Sequence, residues 1–369
     1  MRRCGVVTFH SPHNYGSVLQ AYALVQVLQG LGLNAEIIDF RHPHTTDMYE
    51  WKFWSPYKTA RWNIMDLVVR GILGLGKERE KQFRQFIDYV LPKSKRYYNR
   101  SEIPGDKYDI LICGSDQIWN PISTGENDPI YFLDFGNTAC RFSYAASSGS
   151  HPFGEGCHER IQGYLEKFKS IGVREKFMQD YIKEEFGFES TINPDPTLLL
   201  PAERWSEIEV EYSKLPKNYL LVYSLWEHKD ILSFAQKVAQ CLQLPLVHIS
   251  TDYTLRALFH KGIKYSLTDV SPQQFLWLFH HASFIVTNTF HGNMFSVIYR
   301  KNFINYAVND KKDTRIKTLH EVIGLENRII SDIEMFKMMN KEIDYSKLED
   351  DISCFQEKGL TFIKGNIGF

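Results

Sequence analysis

The residues with the clearest chemical potential lie between Thr287 and Gly292, where Thr-Asn-Thr-Phe-His-Gly follows the apolar run Phe284-Ile285-Val286. Such a run reads as a buried strand, and the residues after Gly292 read as a helix. His291 would then stand at a helix N-terminus, where free backbone N–H groups attract an anion. Gly292 lets a ligand approach the backbone closely. The competing reading of His291 is a helix-capping residue. Four more polar clusters end apolar runs: His10 to Gly16, Gly114 to Asn120, Arg174, and Pro194-Asp195-Pro196. Arg174 could clamp a phosphate or carboxylate with two parallel hydrogen bonds, or simply pair with Glu175. Asp116, after Ser115, could orient or deprotonate a hydroxyl, or hold an Asx turn. Asn14, Tyr15 and Gly16 could line an acceptor site or meet a phosphate at the start of a helix. His10 and His13 are alternative bases, or ordinary loop histidines.

These clusters need a scaffold that brings strand ends together. Cys4 to Phe9 is a short strand pattern, Val18 to Leu28 recurs at helical spacing, and Ala35 to Phe40 is a second strand. That βαβ opening implies a parallel sheet. The rhythm breaks over residues 43–107, a basic and aromatic segment expected to be a helical insert. It resumes with strands at Tyr108–Cys113, Phe142–Ser147 and Ser170–Val173. Ser190–Leu200 reads as strand interrupted by a loop signal. A second series follows, with strands at Tyr219–Leu225, Pro245–Ile249, Ser283–Thr287 and Phe303–Ala307. The expected architecture is α/β: two Rossmann-like, doubly wound domains facing a cleft. They cover residues 1–205 and 215–330, and a helical tail, 331–369, crosses back onto the first. Ligands bind such sheets outside the carboxyl ends of the strands, so the five clusters are expected to converge.

Composition excludes several functions. The 369 residues carry 43 basic and 44 acidic side chains, a net charge of −1, without the basic footprint of a nucleic-acid binder. Any anion site must be local. Six cysteines show no Cys-x-x-Cys pair, and His280-His281 lacks metal spacing, so neither a disulfide framework nor a metal is expected. The apolar run after Arg2-Arg3 is too short for an export signal. The run Ile64 to Leu75 is broken by Asp66 and Arg70 and is too short to span a membrane. A cytoplasmic protein is the expectation, placed by the Trp51–Trp62 segment at the inner membrane face if those aromatics sit at headgroup level.

Taken together, Thr8, Asn14-Tyr15-Gly16, Leu19-Gln20-Ala21-Tyr22-Ala23-Leu24, Gly114-Ser115-Asp116-Gln117-Ile118-Trp119-Asn120, Val173-Arg174-Glu175-Lys176, Asp195-Pro196-Thr197-Leu198-Leu199 and Phe290-His291-Gly292 resemble, in order and spacing, the polysaccharide pyruvyl transferase family. The resemblance implies a fold like that of the two-Rossmann-domain (GT-B) glycosyltransferases. It implies phosphoenolpyruvate as donor, with no further cofactor, and a hexose of a cell-surface glycan, often lipid-linked, as acceptor. The product it implies is a cyclic pyruvate ketal.

By that resemblance His291 is the general acid and Arg174 the donor clamp, with Asp116 assigned to the acceptor hydroxyl. Asn14, Tyr15, Gly16, Ser115, Thr289 and Gly292 belong to the binding site. A helix N-terminus disfavours an imidazolium, whereas a bound anion favours it, so His291 is expected to become a competent acid in the donor complex. Many family members carry arginine where Thr289 stands. Arg315 is the expected replacement cation, with Arg300, Lys301, Lys311 and Lys312 as competitors. Two other readings stay open: a nucleotide-sugar-dependent glycosyltransferase of the same architecture, and a non-catalytic family member.

Overall fold

The computed structural model describes all residues except 42–54, 56–58, 75, 126, 139, 150, 155, 226–228, 252–262, 308–312, 340 and 369. Trp51, Trp54, Lys311 and Lys312 lie outside the described residues.

Twelve short strands form two six-stranded sheets. The first contains β1 Arg3–Val7, β2 Asn34–Ile37, β3 Ile110–Cys113, β4 Cys140–Ala146, β5 Ile171–Val173 and β6 Thr191–Ile192, in the order β2-β1-β3-β4-β5-β6. The second contains β7 Leu220–Tyr223, β8 Leu246–Ile249, β9 Tyr265–Leu267, β10 Phe284–Thr287, β11 Phe303–Tyr306 and β12 Ile329–Ile330, in the order β12-β11-β10-β7-β8-β9. Every pairing is parallel. The central strands β3, β7 and β10 are buried throughout, which is why they read as unbroken apolar runs rather than as an alternation.

The helices that matter for the site are α1 Tyr15–Gly30, α2 Lys77–Tyr89, α3 Lys176–Phe186, α4 Pro196–Leu199, α5 Pro272–His281, α6 Phe290–Ile298, α7 Thr314–Ile323 and α8 Glu349–Ile367. Helix α1 is apolar all round and buries nearly every side chain, as a helix enclosed on all sides must. It packs under the first sheet and also meets α5 of the second unit. There Tyr15 stacks on Phe275 with ring centroids 4.4 Å apart, and its hydroxyl donates to the Val270 carbonyl at 2.8 Å. Trp205 packs edge-on against Phe295. One continuous apolar core therefore includes side chains from both units. Helix α8 returns to the first sheet, where Phe362 meets Phe142 and Tyr144 and Ser170 donates to Asn366.

Two local readings are corrected. Ser190–Leu200 is not an extended stretch: only Thr191–Ile192 is strand, and Asp195 caps the single turn α4 by accepting from the Thr197 N–H. A proline at the first helical position and an aspartate before it explain the turn. Strands β9 and β12 were not anticipated; at three and two residues they carry too little pattern to stand out from loop. Among the described residues, no helix is long and apolar enough to cross a membrane. Trp62 is exposed on the short helix Ala60–Asp66.

Candidate active site

In each sheet the strand order reverses at one place: between β1 and β3 in the first, and between β7 and β10 in the second. A crevice outside the carboxyl ends of the strands opens at such a point, and the polar clusters occupy both.

On the second sheet the turn after β10 is rigid. Thr287 Oγ1 donates to the Tyr223 carbonyl at 2.8 Å and accepts the Thr289 N–H. Thr289 Oγ1 accepts the Gly292 N–H at 2.9 Å, making Thr289 the cap of α6. A Cβ on Gly292 would fall 2.2 Å from Thr287 Oγ1 and 2.6 Å from Thr289 Oγ1, so only glycine fits. This turn aims His291 at the first domain. A Cβ added to Gly16 would lie 2.0 Å from His291 Nδ1, so the imidazole rests directly on the start of α1. The approach is possible only because residue 16 has no side chain.

On the first sheet, Asp195 is the hub. Its Oδ1 accepts from the Thr197 N–H at 3.0 Å and from Thr197 Oγ1 at 2.8 Å. Its Oδ2 lies 3.0 Å from Ser115 Oγ, accepts from Arg174 Nη1 at 2.9 Å, and stands 3.6 Å from His291 Nε2. Burial alone would raise the Asp195 pKa. The nearby His291, then the Arg174 charge and the Thr197 N–H, hold it well below the usual carboxylate range.

Arg174 is buried, its guanidinium carbon 4.4 Å from the centroid of the Phe290 ring. Its Nη2 lies 3.9 Å from Asp116 Oδ1 and its Nε 4.0 Å from Glu175 Oε2. The buried Glu175 accepts from Ser147 Oγ and the Ser148 N–H through Oε1. Burial pushes its pKa up, against the nearby charges of Arg174 and Arg315. Arg315, near the start of α7, lies 5.9 Å from the same Phe290 ring and donates twice to Asp313, at 2.9 and 2.8 Å.

Among the described residues, Arg174 Nε and Nη2, His291 Nε2 and Glu175 Oε2 of this cluster are buried with no hydrogen-bond partner. Native proteins leave few buried polar groups unsatisfied, and such groups mark strain, catalysis or an absent ligand. Three of these atoms are nitrogens suited to an anion.

Several expected residues have other duties. Tyr15 is a pin between the two units, its hydroxyl committed to Val270. Thr289 is the α6 cap rather than a free binding hydroxyl. Asn14 caps α1 by accepting the Gly16 N–H at 2.9 Å. Ser115 is fully buried between the Ala145 carbonyl and Asp195. Asp116 accepts from Ser17 Oγ and from the Gln117 N–H; its positive φ of 66° fits a tight turn. His10 bonds Asp39, which also pairs with Arg41, and His13 packs on Phe83. Arg300 pairs with Glu349 of α8, while Lys301 sits beside Glu209. The sequence reading singled out Asp195 only as part of a loop, and gave Phe290 and Asp313 no role. The Asp-Pro pair signalled a cap; nothing local revealed that the free oxygen of that cap would meet residues 115, 174 and 291.

Comparisons with known proteins give the family and the fold. Residues 14–310 match the family model described as polysaccharide pyruvyl transferase. No curated protein matches the chain. Among solved structures, UDP-N-acetylglucosamine 2-epimerase from Rickettsia bellii is 11% identical, with 100% of this chain and 96% of that chain covered and a TM-score of 0.54. The S. aureus MnaA–UDP structure is also 11% identical, with 100% and 97% covered and a TM-score of 0.51. At that identity the likeness is one of fold: two facing Rossmann-like units of the GT-B type.

Proposed function

The chain belongs to the polysaccharide pyruvyl transferase family, and from that premise we propose that it moves the pyruvyl group of phosphoenolpyruvate onto two hydroxyls of a glycan sugar. The observation that carries this reading is the set of orphaned nitrogens on Arg174 and His291, from opposite domains, beside one ionised Asp195.

The chemistry assigns roles to these groups. His291 delivers a proton to the donor methylene carbon, and the adjacent carbon becomes oxocarbenium-like. A sugar hydroxyl adds there and gives its proton to Asp116. A second hydroxyl then displaces phosphate with loss of its own proton, closing the ketal. Arg174 and Arg315 hold the donor phosphate and carboxylate, since guanidinium groups bind both bidentately. Asp195 keeps a negative charge 3.6 Å from the imidazole and holds Arg174 beside it.

The charge inventory supports one further feature. Asp116, Glu175, Asp195 and Asp313 surround only two guanidinium groups. A multiply charged donor entering such a site is expected to bring a proton with it, onto the buried Glu175, whose pKa burial already pushes up. Trp62 is exposed on its short helix, an aromatic of the kind that sits at a membrane surface beside a lipid-linked acceptor.

The test is calorimetric binding of phosphoenolpyruvate to wild type and Arg174→Ala, beside a panel of nucleotide sugars and in buffers of different ionisation enthalpy. Donor binding with proton uptake, weakened without Arg174, supports the reading. Binding of nucleotide sugars alone would make the chain a glycosyltransferase. Turnover that survives His291→Ala would remove the acid from the scheme.

A further inference from the structure

A second cluster lies away from Arg174 and His291, where the segment joining the two sheets crosses the end of α5. Glu209 belongs to that segment, between β6 and β7, and the neighbouring Val210 N–H donates to the Gln273 carbonyl at the start of α5. His280 and His281 close the other end of the same helix. One ligand atom from each of Glu209, His280 and His281 lies within 4.8 Å of the others.

We propose that these three residues bind a zinc-class divalent cation, a site independent of the pyruvyl-transfer reading. Two imidazoles and one carboxylate form a donor set suited to zinc, with a fourth position left for water. The pairwise geometry is already close. His280 Nδ1 lies 3.0 and 3.2 Å from the two Glu209 oxygens, near the roughly 3.3 Å between ligand atoms that bonds of about 2.0–2.1 Å impose in a tetrahedron. The His281 side chain is exposed and has a ring nitrogen within 4.8 Å of the other two ligand atoms.

The surroundings orient the ligands as metal ligands are usually oriented. His281 Nδ1 donates to the Trp277 carbonyl at 2.9 Å, which fixes the tautomer and leaves the lone pair on Nε2. A histidine that gives its other ring N–H to a backbone carbonyl is the common arrangement around zinc. The His281 ring stacks on Trp277 and the His280 ring on Tyr299. The Tyr299 hydroxyl donates to Glu209 Oε1 at 2.8 Å, so the carboxylate is held as well. Lys301 lies in the field of Glu209, which opposes the lowering of its pKa by burial. A bound ion would staple the interdomain segment to α5 and stiffen the joint between the two halves.

The experiment is calorimetric titration with zinc chloride in a Cys241→Ser/Cys354→Ser background, which removes the two exposed thiols as competing ligands. Cobalt(II) absorption gives the coordination. We expect one ion per chain and tetrahedral or five-coordinate cobalt bands without thiolate charge transfer. Glu209→Gln and His281→Ala should each weaken affinity more than about tenfold, with phosphoenolpyruvate binding unchanged. His281 is exposed, and Glu209→Gln keeps the shape and the hydrogen-bonding oxygen of a side chain that is 9% exposed, so the variants should fold. A flat titration, or affinity kept by either variant, would overturn the assignment.

Discussion

Replacing Asp195 by asparagine separates the two tasks given to its carboxylate: anchoring Arg174 and placing a negative charge beside His291. The change is isosteric. At the observed 3.6 Å between Asp195 Oδ2 and His291 Nε2, a full charge pair at an effective dielectric of about 20 is worth about 4–5 kcal/mol. Arg174 sits on the same oxygen and cancels much of that field. A remainder of about 2 kcal/mol acting on the reacting groups in the transition state is a factor of about 30 in rate. Removing the negative charge also leaves the Arg174 guanidinium freer for the donor. The expected signature is thus a split: turnover at neutral pH falls at least about thirtyfold, while donor affinity stays the same or tightens. Fold stability drops as well, because either amide orientation sets NH2 against the Arg174 donor or against the Thr197 N–H; breaking a buried pair costs about 3–5 kcal/mol. The assay is phosphate release with saturating acceptor, beside donor calorimetry and denaturant unfolding at the same pH. Turnover within about threefold of wild type, in a folded variant, would refute the claim that Asp195 acts through His291.

Three other outcomes follow from the same contacts. Gly16→Ala puts a methyl 2.0 Å from His291 Nδ1, so the ring must shift by more than about 1 Å; turnover should fall about a hundredfold and the overpacked joint should lower the melting temperature, and full activity would show that the ring is not positioned there. Tyr15→Phe keeps the stack on Phe275 but strips the Val270 carbonyl of its donor, so unfolding in urea should show a loss of about 1–3 kcal/mol. Asp39 is held well below its ordinary 3.8: burial would raise it, but bonds and charge from His10, then Arg41, prevail. Its contribution is therefore complete above pH 3.8 and is lost as pH falls below that value. The stability gap between wild type and Asp39→Asn should be widest near neutrality and shrink in acid, and a gap independent of pH would contradict the pairing.

How much was legible depended on the range over which each signal acts. The βα alternation could be read because buried parallel strands must be apolar on both faces, as Ile110–Cys113 and Phe284–Thr287 are. The tail α8 crossing back was expected and is present. His291 and Arg174 could be flagged because each ends a strand, where such a fold gathers polar groups. Tyr15 misled, since a tyrosine at the mouth of a strand looks the same whether it faces ligand or partner domain. Thr289 misled for a related reason: a missing arginine invited a chemical reading, while its hydroxyl was needed by the helix behind it.

By itself, then, the sequence determined the alternation of strand and helix, the glycine that lets His291 approach and the glycine that frames it, and the family. Tertiary structure alone decided which polar atoms meet. Asp195 comes within reach of both Arg174 and His291 only when β6 and β10 stand across one cleft. Glu209 finds His280 and His281 only where the interdomain segment crosses the end of α5. Backbone periodicity is set by neighbours a few residues apart. The field at a side chain is set by charges a few ångströms away, and those come from residues far apart along the chain, brought together by the packing within each sheet and between the two.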